Sequence, residues 1–167
     1  AFEWYLPPLI GIACNSIVYA RDYLVAFCGR GREARLCGLS FKSNNPYKWS
    51  WSNFRGKPSV LRRKSTASGI LFKTKGNEEK YFVCGGLSRY GKYKGKDKSE
   101  IYDFRNNIWT SIKTGPNTMD AGICYDNQTQ NIYVAGGESM DWHNKNCRAP
   151  QDIVHGFDIE KEKWYSL

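Results

Sequence analysis

Apolar and polar positions alternate in short runs along most of the chain, and turn residues break the runs every few positions. Tyr81-Phe82-Val83-Cys84 runs into Gly85-Gly86, and Ile132-Tyr133-Val134-Ala135 runs into Gly136-Gly137. A period of two marks strands whose alternate side chains enter a core. The rings of 6 Trp, 11 Tyr and 8 Phe suit a pleated, half-buried surface, and 16 Gly punctuate them. The pattern predicts an all-β chain, and its 167 residues are enough to bury a core without a disulfide or metal staple.

The runs repeat in a fixed order. Ala67 to Phe72 leads to Tyr81 to Gly86, then Ile101-Tyr102-Asp103, then Trp109. Ala121 to Tyr125 leads to Ile132 to Gly137, then Gly156-Phe157-Asp158, then Trp164. The aromatic-to-Trp interval is seven residues in both copies, and the di-glycines lie 51 residues apart. An earlier, degraded copy runs from Gly11-Ile12-Ala13-Cys14 through Tyr23 to Arg30 and closes at Trp49 or Trp51. Ahead of it, Trp4-Tyr5-Leu6-Pro7 matches the tail of one more unit. Each unit holds four short runs, the make of a propeller blade.

An apolar strand ending in Gly-Gly, then Tyr/Phe-Asp, then Trp seven residues on resembles the kelch repeat. WD40, the rival blade, needs a Trp-Asp dipeptide, and the chain has only the reversed Asp141-Trp142. The resemblance implies kelch-type β-propeller blades: an outer strand at 1–8, a degraded blade at 9–56, and blades at 57–116 and 117–167. Three blades cannot close a ring, so an open part of a six- or seven-bladed propeller in a longer chain is expected. The resemblance further implies a protein-binding module, such as the substrate-recognition part of a ubiquitin ligase adaptor or an actin-associated scaffold. In the family, the loops from second to third strands and from fourth to next first strands share the face that binds the partner.

The net charge of +9 gives that expectation a sign, because an acidic partner is favoured. The repeat assigns Arg30, Arg32 and Arg35 to the first such loop, and Arg89, Tyr90, Tyr93 and Lys94 to the second, Leu87 to Ser99. Glu138 to Asp152 forms the third, and the linker Ser52 to Ser65 adds Arg62, Arg63 and Lys64. Arginines hold carboxylates bidentately, and the tyrosines supply rim anchors. An acidic protein segment is therefore the expected partner, with nucleic acid, the other ligand of basic patches with aromatics, ranked below it. The opposite face receives Asn77 to Lys80, Asp126-Asn127 and Glu160 to Lys163, which are mixed in sign.

Catalysis is not expected, and neither is a cofactor. The two histidines are His143, in a loose loop arrangement with Asp141 and Cys147, and His155, read as a partly buried strand residue. Zinc wants tighter pairing and a fourth ligand. Galactose oxidases are built on kelch-like propellers, which makes a propeller enzyme of galactose-oxidase or sugar-processing type the alternative. Their copper site needs paired histidines converging on the axis, and none occurs here. None of the six cysteines forms a CxxC pair. Cys28, Cys84 and Cys124 are expected to be buried thiols of a cytoplasmic or nuclear protein. No apolar run is long enough for a membrane helix.

Overall fold

The computed structural model describes residues 14–20, 22–28, 35–45, 48–56, 58, 63–87, 99–112, 115–140 and 148–167. Twelve strands form three four-stranded antiparallel sheets. The first sheet is β1 (Cys14–Ala20), β2 (Tyr23–Cys28), β3 (Arg35–Ser40) and β4 (Trp51–Asn53). The second is β5 (Arg63–Lys73), β6 (Glu79–Leu87), β7 (Ser99–Asp103) and β8 (Ile108–Ile112). In the third, β9 (Gly122–Asp126) and β10 (Asn131–Ala135) are followed by a small hairpin, β11 (Glu138–Met140) with β12 (Arg148–Pro150). The sheet then resumes with β13 (Val154–Asp158) and β14 (Lys163–Ser166). No α-helix occurs among the described residues, so the chain is all-β as its pattern predicts.

The ladders explain the seven-residue spacing. Asp103 pairs with Ile108 and Asp158 with Lys163, so four residues form each loop and the next rung sets Tyr102 opposite Trp109 and Phe157 opposite Trp164. The aspartates build these turns. Asp103 Oδ1 accepts the N–H groups of Arg105 and Asn106 at 2.8 and 3.1 Å, and Asp158 Oδ1 those of Glu160 and Lys161 at 3.0 and 2.9 Å. The last loop residue is left-handed in both, Asn107 at φ 57° and Glu162 at φ 50°. Asp126 repeats the device between β9 and β10, where Gln130 takes φ 54°. Asn127, Gln128 and Thr129 make up that turn, with the Thr129 hydroxyl donating to Asp126 Oδ2 at 2.6 Å.

The same register picks out the degraded copy. Leu24 pairs with Leu39 and Leu39 with Trp51, as Tyr81 pairs with Tyr102 and Tyr102 with Trp109. Trp51, not Trp49, holds the repeat position; Trp49 sits in the preceding loop, donating its indole N–H to Ser43 O at 2.8 Å.

Alternate residues of each sheet pack on its neighbour. Val25, Phe27 and Leu36 meet Tyr81, Val83 and Tyr102 between the first and second sheets. Phe82, Cys84 and Ile101 meet Ile132, Val134 and Phe157 between the second and third. The first strands of the second and third sheets lie side by side and codirectional: Ser68 Oγ, midway along β5, donates to Ala121 O just before β9 at 2.7 Å, and the Tyr125 hydroxyl donates to Lys73 O at 2.5 Å near the ends of both strands. Phe82 carries the second junction, with its ring 5.1 Å from Phe157 and 5.9 Å from Trp164.

Three expectations are corrected. Arg63 and Lys64 belong to β5 and not to a linker, because the β5–β6 ladder resumes beyond a register shift and pairs Arg63 with Leu87. Arg35 opens β3, paired with Cys28, and is not a loop residue. Cys84 is a buried thiol as expected, but Cys124 is exposed, since it points from β9 to the side opposite Ile123 and Tyr125, away from the second sheet. The side chain of Cys28 lies outside the described residues.

Candidate functional site

Strand direction gathers the connections at the end where β1, β5 and β9 begin, and one short segment ties them together. Gly86 N–H donates to Thr118 O at 2.9 Å. Met119 and Glu138 exchange both backbone hydrogen bonds, at 2.8 and 2.9 Å, and the Thr118 hydroxyl donates to Gly136 O at 3.0 Å. The linker before β9 thus holds the exits of both β6 and β10. The di-glycines make this possible. Gly85 and Gly137 have φ +64° and +84°, and a Cβ on either would run into the carbonyl oxygen of Thr118 or Met119. The Gly-Gly signature is therefore a junction where backbones meet, and the loops that leave it start from fixed points.

Of the residues assigned to the basic face, the structure describes the backbones of three. Arg35 opens β3 at the rung that ends β2, Arg63 opens β5 at the rung that ends β6, and Lys64 follows it. Each lies at the connection end of its sheet. Arg30, Arg32, Arg62, Arg89, Tyr90, Tyr93 and Lys94 lie outside the described residues, as do Asp141, His143 and Cys147. The third connection contains the β11–β12 hairpin, steadied by Gln151 Nε2 donating to Ser139 Oγ at 2.9 Å.

The opposite end presents turns whose charges are matched to one another. Arg105 meets Glu78 at 3.0 Å, Lys80 meets Asp103 at 3.4 Å, and Lys161 meets Asp158 at 2.7 Å. Lys73, Asn77, Glu78, Glu79 and Arg105 line a shallow dent there. Partial burial pushes Asp103 up, but the N–H groups of Asn106 and Arg105, the Asn106 amide and Lys80 outweigh it and hold the carboxyl below its ordinary value. The Lys161 ammonium does the same for Asp158. An end so compensated has little field left for a charged ligand.

His155 is half-buried, edge-on to the Trp164 ring at 6.4 Å, a strand residue as expected. No group of three or more His, Cys, Asp or Glu fit for a metal occurs among the described residues. Sequence reasoning passed over Thr118, whose role is carried by its backbone and one hydroxyl and leaves no periodic trace. It also passed over Glu100, fully buried on the face of β7 that carries Tyr102.

Fold and connections together define an all-β protein of successive, equivalent four-stranded sheets with its strand connections pinned at one end. No family model and no curated protein matches the chain. Among solved structures it is similar to the one titled YjhT, with a TM-score of 0.66 at 13% identity, covering 96% of this chain. The chain spans about half of that protein, 52% of its length, and the likeness is one of fold.

Proposed function

We propose that the chain is a run of three kelch-type blades, part of a six- or seven-bladed β-propeller, that binds an acidic segment of another protein through its connection end. One observation carries the reading: Leu24–Leu39–Trp51, Tyr81–Tyr102–Trp109 and Ile132–Phe157–Trp164 occupy the same rungs of three successive sheets. A repeated rung pattern with a terminal Trp is what kelch blades require, and the Gly-Gly junctions at Thr118 fit it. Of the basic residues that the repeat assigns to one face, Arg35, Arg63 and Lys64 have their backbones at the connection end of the sheets, while the described turns of the opposite end pair their charges with one another. An adaptor role in a ubiquitin ligase or an actin-associated scaffold is compatible with such a module.

Association kinetics across a salt series test this reading. An acidic peptide binds with strong salt dependence and a neutral one does not, because rim charges act mainly on encounter. Reversing Arg62 and Arg63 to Glu lowers the association rate for the acidic peptide and flattens its salt dependence. Salt-insensitive binding, equal before and after the reversal, would contradict the reading. Preference for duplex DNA would replace the acidic segment with nucleic acid as the ligand.

A further inference from the structure

The ladder between β5 and β6 runs evenly from Lys73 back to Ala67 and then slips. Ala67 pairs with Gly85 and Arg63 with Leu87, so Lys64, Ser65 and Thr66 stand opposite Gly86 alone. Gly86 commits its N–H elsewhere, to Thr118 O at 2.9 Å. Extra residues opposite one partner form a bulge, where the strand leaves the ladder. The third sheet shows the same place without the insertion. Gly122 pairs with Ala135 and Met119 with Glu138, which sets Asp120 and Ala121 against Gly136 and Gly137, one residue to one. Asp120 thus takes the place that the bulge fills in the second sheet, and it is exposed. The fold accepts a negative charge there.

The residues at the bulge carry a second signal. Arg62 and Arg63 are the one pair of adjacent arginines in the sequence, and Lys64 and Ser65 follow directly. Two arginines at the second and third positions before a serine suit a kinase whose substrate groove is acidic, because each guanidinium can hold a carboxylate bidentately. The blade does not call for them: at the matching rung of the third sheet, Met119 stands in place of Arg63. Ser68 offers no such site, since it is buried and donates its hydroxyl to Ala121 O.

We propose that Ser65 is a phosphorylation site for an arginine-directed protein kinase, and that its phosphate switches off binding of the acidic segment. Ser65 Oγ attacks the γ-phosphorus of Mg-ATP and forms the new O–P bond. The bond to the bridging oxygen breaks, ADP leaves, and the hydroxyl proton passes to the catalytic carboxylate of the kinase. The phosphate brings about −1.5 to −2 charges at neutral pH to a stretch that holds Arg62, Arg63 and Lys64. Those cations then pair with it, and their pull on an acidic ligand falls. The modification stands on the bulge and the arginines; only its effect on binding rests on the function proposed above.

The test incubates the chain with Mg-ATP and a kinase of that class, and maps the phosphate by peptide mass spectrometry. The expected result is phosphate on Ser65, lost in Ser65→Ala and strongly reduced in Arg62→Ala. If the folded chain takes no phosphate on Ser65, the proposal is overturned; a free peptide of residues 58–70 modified under the same conditions shows that the fold withholds the serine. Phosphate on Thr66 alone overturns it as well. The phosphorylated chain should associate with an acidic peptide about tenfold more slowly at low salt, with the difference closing at high salt. An unchanged rate overturns the switch and leaves acidic-segment binding standing. An acidic peptide that fails to bind even the unmodified chain overturns that function and the switch with it, while the phosphate map still decides the site.

Discussion

Gly85→Ala and Gly136→Ala separate the two demands made on the signature glycines. The backbones are alike, with φ +64° at Gly85 and +65° at Gly136. A side chain in the left-handed region costs about 1–2 kcal/mol at either position. Their surroundings differ. At Gly136 a Cβ would have Gln151 O at 3.7 Å, an ordinary contact, whereas at Gly85 it would run into Thr118 O. Relieving that clash moves the Thr118 carbonyl from Gly86 N–H, and a lost backbone hydrogen bond adds about 1 kcal/mol. Gly85→Ala should therefore cost about 2–4 kcal/mol and Gly136→Ala about 1–2. Urea unfolding at equilibrium reads both, with the slope unchanged and the midpoint shifted. Gly122→Ala is the control, because that residue has no positive φ and its Cβ would sit 3.7 Å from Ala135 O. Equal costs at positions 85 and 136 would refute the close-approach account of the di-glycine.

Phe82→Ala empties the centre of the second junction and should cost about 3–5 kcal/mol in the same urea assay. Ser68→Ala removes the bond to Ala121 O and should cost about 1 kcal/mol, read as a midpoint shift. Asp103 has a folded pKa below its ordinary 3.8, so its charge contributes stability above that value, lost as pH falls through the lower folded one. Asp103→Asn keeps an oxygen for the turn but not the charge. Thermal melts from pH 6 to 2 should show a shallower acid loss in the variant, about pH-independent at this position.

Much of this architecture is written in the chain where the repeat is complete. Tyr102 to Trp109 and Phe157 to Trp164 keep the Asp-capped four-residue loop, so spacing alone reveals the rung. The first copy hides the same rung, because Leu39 replaces the aromatic and Ser40 the aspartate, and the loop to Trp51 is longer. The start of β5 was not legible, since Arg63 and Lys64 read as polar linker while the ladder reaches them past a register shift. The β11–β12 hairpin lies in a polar stretch without alternation. Cys124 looked like any small strand residue; its exposure depends on which side of the third sheet has a neighbour, and period two does not choose sides. Thr118 acts largely through its backbone, which any residue provides.

The central claim is that three sheets repeat one ladder, and backbone nuclear Overhauser effects across the third and fourth strands test it most directly. The account predicts cross-strand contacts for Leu39 with Trp51, Tyr102 with Trp109 and Phe157 with Trp164. Contacts displaced by one residue in any of the three, or contacts to Trp49 in place of Trp51, would contradict it.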